Sequence, residues 1–429
     1  MSNKRKVILK GPLLTQSGYG EQARYALRSL RTREDLYDIY IMPITWGVTS
    51  WSREYDEERK WIDERIEATI AYVQQGGQFD MSLQVTIPVE FEPMAPINVG
   101  YTAGIETTKM APEWIEKINC MDRVMTISSH SQRVMENSEY RAARQTNGVQ
   151  GQEFIHKANS GVIKYINYPV KSFDELPNIE LDLETSFNFI CTNQWSARKN
   201  IHSTIKWFIE EFKEDKDVGL VVKTNVSKNC LLDRRVAEAR IKEIVESYGD
   251  KKCKIYLLHG DMTDKEMHAL YKHEKIHSFI TTTHGEGFGL TMFEAAYSGL
   301  PVIATAWSGQ LDFLVDENGK NKYYPISFDL RQIPEESAWQ GVITADSMWA
   351  VPREHSAKKM MREVYENYEN RILVDGINER FASEKMHAEF VQIFDEAWSN
   401  WKDNNPSACP IEDVDEWLNE LSDEFIINE

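Results

Sequence analysis

Apolar and polar positions alternate along this chain in two successive series of short buried runs separated by helical stretches. Lys6–Lys10 is an apolar run that ends at Gly11-Pro12, which reads as a strand feeding a loop. The loop passes through Thr15-Gln-Ser-Gly18-Tyr19-Gly20 and opens on a segment that puts Ala23, Ala26, Leu27 and Leu30 on one helical face. Strands are expected at Ile39–Pro43, Met81–Ile87, Ile97–Tyr101 and Asp122–Ser128, with a charged helix over Tyr55–Val73. The periodicity lapses between about Asn167 and Thr185. It then resumes with strands at Phe187–Cys191, Val218–Lys223, Lys254–Leu258, Ser278–Thr282 and Leu300–Ala304. Helices are expected over Ile201–Phe212 and Asp264–His273. Strands alternating with helices imply parallel sheets with crossovers, and the break divides them into two doubly wound domains, 1–175 and 186–375. A long helix over Ile377–Trp401 opens a third stretch, 376–429. In it Trp417, Leu418, Leu421 and Phe425 give the acidic tail an amphipathic pattern.

Length agrees, since 429 residues exceed what one compact core usually holds. Lys plus Arg number 49 against 68 for Asp plus Glu, a formal charge of −19. That total argues against a basic nucleic-acid coat, but the charge is uneven. Residues 1–170 hold 20 basic and 21 acidic side chains, and residues 171–429 hold 29 and 47. The first half also clusters Arg24, Arg28, Arg31 and Arg33, then Arg141 and Arg144, either as a solvated face or as a phosphate-contacting surface. Five dispersed cysteines without a Cys-x-x-Cys pair point to a reducing cytoplasm. Nothing resembles a signal segment or a membrane span, so no membrane partner is expected.

The chemistry concentrates in Thr283-His-Gly-Glu286-Gly-Phe-Gly289-Leu-Thr-Met-Phe-Glu294, followed by Gly299-Leu-Pro301. A buried strand ends at Thr282, a glycine-rich loop follows, and a helix begins near Leu290 with Gly299 as its C-terminal cap. Glycines let a ligand approach the backbone, and the helix start suits an anion such as a phosphate. Glu286 and Glu294 can then accept hydrogen bonds from sugar or ribose hydroxyls. His130 and His284 are read as packing residues.

This segment resembles the Glu-x7-Glu signature of retaining glycosyltransferases of the GT-B fold, particularly the large family 4, and the order of elements extends the likeness over about residues 6–400. The resemblance implies an α/β fold of two Rossmann-like domains facing a cleft, with a C-terminal helix returning to the first. It implies a metal-independent hexosyl- or pentosyltransferase that needs no cofactor beyond a nucleotide-diphosphate sugar, UDP favoured, as co-substrate. In that frame Glu294 holds the ribose and Glu286 the transferred sugar. Gly287, Phe288 and Gly289 line the sugar with backbone, and Leu290 and Thr291 offer N–H groups to phosphate. Gly18 and Tyr19 belong to the loop that approaches the diphosphate, and Gly260 and Met262 border the nucleobase. Arg198 and Lys199, in Asn193-Gln-Trp-Ser-Ala-Arg-Lys-Asn200, are the basic pair on the diphosphate. The chain departs from the pattern at Gln194, where many members have Arg, so that Arg198 or Lys223 supplies the second charge. The acceptor-side stretch Val99–Trp114 lacks the usual His, and Glu106 inherits its candidate catalytic role. The Gly-Tyr-Gly loop, abundant Trp and acidic tail also resemble glycosyltransferases of large DNA phages, which makes a hydroxymethylated pyrimidine in DNA one acceptor class. Glycans, proteins and small molecules are the others. A catalytically silent nucleotide-binding scaffold and an epimerase are the rival readings.

Overall fold

The computed structural model describes residues 4–52, 55–146 and 149–404, with side chains omitted at 144–152 and 402–404. The acidic tail, with its expected helix, lies outside the described residues.

The first domain runs β1 (Arg5–Gly11), α1 (Gly18–Arg31), β2 (Tyr37–Pro43), α2 (Glu57–Gln74), β3 (Met81–Val85), β4 (Ile97–Thr102), α3 (Pro112–Asn119), β5 (Arg123–Thr126), α4 (Ser129–Asn137), β6 (Glu139–Thr146), β7 (Val149–Lys157) and β8 (Ile163–Tyr165). Six of these strands form a parallel sheet in the order β2-β1-β3-β4-β5-β8. Strands β6 and β7 make a separate antiparallel hairpin. No helix or strand occupies 166–186. The second domain runs β9 (Phe187–Thr192), α5 (Ile201–Phe212), β10 (Val218–Lys223), α6 (Leu231–Glu246), β11 (Lys254–Leu258), α7 (Asp264–Tyr271), β12 (Ser278–Thr281), α8 (Leu290–Tyr297), β13 (Val302–Thr305), α9 (Leu311–Leu314) and β14 (Tyr324–Ile326). Its sheet, β11-β10-β9-β12-β13-β14, is also parallel throughout. The fold is thus α/β with two Rossmann-like domains. Both sheets are buried on two faces, which is why their strands read as continuous apolar runs such as Val-Gly-Leu-Val-Val.

Beyond β14 an antiparallel pair, β15 (Phe328–Gln332) and β16 (Met348–Pro352), encloses a long excursion that touches the first domain. Thr108 N–H donates to Met348 O at 2.9 Å, Met348 N–H donates to Thr108 Oγ1 at 2.9 Å, and Trp114 Nε1–H donates to Gly341 O at 2.8 Å. The chain continues through α10 (Glu354–Glu366) and α11 (Ile377–Arg380) to α12 (Ser383–Asn404), which returns to the first domain. There Tyr25 Oη–H donates to Met386 O, and Arg5 pairs with Asp395.

The single helix expected over Ile377–Trp401 is broken. Phe381 turns out of helical geometry, and its carbonyl accepts the N–H of Val170 at 2.9 Å. Arg380 caps the carbonyls of α9, donating to Asp312 O at 2.6 Å. Tertiary partners for these groups outweigh helix continuation.

Candidate functional site

The C-terminal ends of both parallel sheets face one cleft, as expected at the switch point of doubly wound sheets. From the second domain, the loop between β9 and α5 carries Arg198 and Lys199. Asn200 sets its shape with a left-handed φ of 52°, a conformation Asn tolerates better than most residues. The Asn200 side-chain amide donates to Thr282 O at 3.0 Å, and His284 N–H donates to Arg198 O at 2.9 Å. The basic loop is therefore laced to the strand end from which the glycine loop begins.

Glu286 is 5% exposed and receives both cations. Lys199 Nζ lies 2.8 and 2.7 Å from its two carboxylate oxygens, and Arg198 Nη1 lies 3.2 Å from Oε2. Arg198 also donates to Gly285 O at 2.6 Å and reaches across the cleft to Glu106 Oε1 at 3.2 Å. Burial alone would raise the Glu286 carboxyl, but Lys199 and Arg198 hold it below its ordinary value. The Glu286 N–H donates to Ser308 Oγ at 2.7 Å. Ser308 itself has a φ of 76°, a strained value for serine. Trp307 Nε1–H donates to Glu106 O at 3.2 Å, so the Trp307-Ser308 turn after β13 positions both carboxylates. Sequence reading missed this turn, although Trp-Ser-Gly-Gln directly after a buried strand marked it.

Two glycines of the signature loop meet a packing constraint that the sequence did not reveal. A Cβ on Gly285 would lie 2.6 Å from Glu106 O, and one on Gly287 would lie 2.5 Å from Ala103 O. At these two positions first-domain backbone lies too close for any side chain. Gly289 keeps a glycine's role, with φ 95° at the start of α8, and no side chain caps that helix. The amides of Leu290 and Thr291 thus open a helix N-terminus with no side-chain acceptor at its cap. Thr291 Oγ1–H donates to Thr192 O, which fixes α8 to β9. The Phe288 side chain is buried among Tyr168, Phe293 and Phe313, so it anchors the loop by its ring.

Eight positions after Glu286, Glu294 lies in a different environment. It lines a cavity of about 570 Å³ with Glu21, Tyr168, Lys171 and Asp264. Burial, only partly offset by Lys171 and reinforced by Asp264 and Glu21, pushes its carboxyl up to about 7. Lys171, from the connection between the domains, bonds Glu21 and Asp264 at 2.8 Å each. No sequence pattern marked it.

Gly18 is exposed at the first position of α1, whose cap Ser17 accepts from Gly20 N–H. Tyr19 Oη meets Thr102 Oγ1 at 2.9 Å and accepts from Ala103 N–H at 3.1 Å. Gly260 has φ 125°, and its carbonyl accepts from Lys223 Nζ at 2.6 Å. Met262 is half-buried against the main core. His284 stacks on Trp349 at 4.5 Å and meets Ala350 O at 2.7 Å, a packing role. His130 is buried edge-on to Trp307, and burial lowers it to about 4.

The clustered arginines are paired. Arg24 and Arg28 bond Glu21, Arg28 also bonds Glu58 at 2.7 Å, Arg31 bonds Glu34, and Arg33 bonds Asp35. Arg141 is exposed on β6, and the side chain of Arg144 lies outside the described residues. Among the described residues no helix is long and apolar enough to cross a membrane.

A family model described as glycosyl transferases group 1 matches residues 172–324. The UDP-N-acetylglucosamine–peptide N-acetylglucosaminyltransferase GtfA subunit of Streptococcus pneumoniae is 26% identical over 180 residues. That match spans 42% of this chain and 32% of the relative's length. Among solved structures, Anabaena HepE in complex with UDP and glucose aligns with a TM-score of 0.54 at 10% identity, covering 91% of this chain and 100% of that one. Sucrose-phosphate synthase from Thermosynechococcus elongatus aligns with a TM-score of 0.57 at 12% identity, covering 92% and 100%. The catalytic domain of starch synthase IV from Arabidopsis thaliana gives 0.57 at 11%, covering 93% and 100%. The chain therefore has the GT-B glycosyltransferase fold, and most of its second domain matches the glycosyl transferases group 1 family.

Proposed function

We propose that the protein transfers a glycosyl group from a nucleotide-diphosphate sugar to an acceptor hydroxyl, with retention at the anomeric carbon and without a metal. The observation that carries this reading is the convergence of Lys199 and Arg198 on Glu286, beside the uncapped start of α8. UDP is the favoured nucleotide, since HepE was solved with UDP and glucose and the GtfA subunit is named for a UDP-sugar.

In this reading the bond from the anomeric carbon to the diphosphate breaks and its electron pair stays on the diphosphate. Lys199, Arg198 and the α8 amides meet that charge as it grows, in a site preorganised for it. Glu286 orients the sugar hydroxyls and Glu294 accepts from the ribose. The acceptor oxygen bonds the same face of the sugar that the diphosphate leaves, and its proton passes to the departing phosphate oxygen or to Glu106. Gly18, Tyr19, Gly260 and Met262 border the donor.

The clustered arginines Arg24, Arg28, Arg31 and Arg33 are paired with carboxylates, which weakens the support they lend to a DNA acceptor. Salt-sensitive retention on duplex DNA above ~50 mM salt would bring that acceptor forward. The reaction itself is tested by release of nucleoside diphosphate from UDP-sugars by the wild type, Lys199→Ala and Glu294→Ala. Loss of release in the variants supports the assignment, and wild-type release in both sinks it.

A further inference from the structure

The connection between β2 and α2 carries large aromatic side chains that no core absorbs. Trp51 is 48% exposed, Tyr55 is 70% exposed, and Trp46 is half-buried. Aromatic groups left in water are the informative exception on a protein surface. The Trp51 stretch of this loop is anchored. Gln16 N–H donates to Ser50 O at 2.7 Å and Ser52 N–H to Leu14 O at 2.7 Å, around an antiparallel bridge between Thr15 and Trp51. Its other partner is therefore the segment that leads into α1. Trp46 packs on Tyr19 at 4.0 Å, Tyr19 Oη accepts from Ala103 N–H, and the Ala103 carbonyl is the group that abuts Gly287. Three contacts connect Trp46 to the signature loop.

Between this loop and the second domain lies a cavity of about 180 Å³, walled by Trp46, Trp51, Thr15, Thr45 and Thr49, with Lys228 from the opposite domain. Among the described residues the two indole N–H groups, the Thr45 hydroxyl and the Lys228 ammonium have no partner. Among the described residues no carboxylate stands in the wall. Flat apolar faces beside donors that no protein group engages fit a neutral sugar ring, whose C–H face lies on an indole while its hydroxyls accept hydrogen bonds. An aliphatic ligand would make no use of those donors. A nucleobase would also stack, but Glu294, the carboxylate read as ribose-binding, lines the larger cavity, and the two cavities share no wall residue.

We infer that this small cavity is a subsite for a neutral sugar unit of the acceptor, with Trp51 and Trp46 as its stacking platform. The inference rests on the proposed transfer reaction, because the link from Trp46 through Tyr19 and Ala103 to the signature loop is what makes the bound sugar an acceptor.

The test uses maltotriose, cellotriose and chitotriose as probes, read by saturation-transfer NMR on the whole chain, with UDP affinity measured alongside. The wild type should bind at least one trisaccharide. Trp51→Ala should weaken that binding at least tenfold, Trp51→Phe should retain most of it, and both should bind UDP within twofold of the wild type. The inference is overturned if no trisaccharide binds, if Trp51→Ala binds it normally, or if Trp51→Ala loses UDP affinity in parallel. Failure of the wild type to bind UDP contradicts the transferase reading instead, and the trisaccharide result still reports on the cavity.

Discussion

Glu286 and Glu294 share one signature and have opposite electrostatic surroundings. Glu286 is clasped by Lys199 and Arg198 and held in its charged form. Glu294, about one turn into α8, faces a cavity where burial, with Asp264 and Glu21, pushes its proton affinity up and the single lysine is already shared by Glu21 and Asp264. In the proposed reaction the cations at one end meet negative charge, and the carboxylate at the other accepts hydroxyl groups. A repeated residue type at fixed spacing therefore stands in two environments, set by what the rest of the chain brings to each.

The sharpest way to break this comparison is at the cations. Lys199→Ala should lower kcat by ~10²–10³, the scale for losing one preorganised charge-stabilising group. It should also lower the melting temperature, because Glu286 stays buried with only Arg198. Glu294→Ala should act on the other side of the ledger. Losing a hydrogen bond to a charged acceptor weakens donor binding by about 1.5–3 kcal/mol, roughly ten- to a hundredfold in Kd by calorimetry. The unliganded fold should not lose stability above pH 7, since the burial of that carboxylate is itself unfavourable.

A smaller effect sharpens the same contrast. With its carboxyl raised to about 7, free Glu294 keeps its proton in mildly acidic solution, whereas ribose hydroxyls favour the ionised acceptor. UDP-glucose affinity should rise as pH increases through 7, by at most about tenfold per unit, and level off above it. Glu294→Gln should flatten that profile. The sign reverses for the free protein. Its folded state holds a proton that the unfolded chain releases above 4.5, so stability contributed by this group falls as pH climbs from 4.5 toward 7. Thermal melts across that window check this, and an unchanged profile in the glutamine variant would contradict it.

Much of this was legible beforehand because local signals and global fold agreed. The apolar run Val218–Lys223, the helix Ile201–Phe212 and the αL cap at Gly299 stand where the pattern put them. What escaped reading was non-local. Glu139–Thr146 and Val149–Lys157 pair as a hairpin although their polar sequences show no sustained alternation. The reach of Arg198 to Glu106 joins positions 92 residues apart, and no spacing rule predicts it. The tight fit of Gly285 and Gly287 against first-domain carbonyls likewise depends on how the two domains meet, so the glycines were legible and their partner was not. The Trp46–Trp51 loop carries no periodic pattern, and its aromatics became informative only once they proved exposed.

The most direct test of the whole account is thermal stabilisation by UDP of the wild type beside Glu294→Ala. At a concentration 100 times its Kd, UDP should stabilise the wild type by ~2.7 kcal/mol and stabilise Glu294→Ala by less at the same concentration. Equal stabilisation of the two proteins, or none of the wild type by UDP, would contradict it.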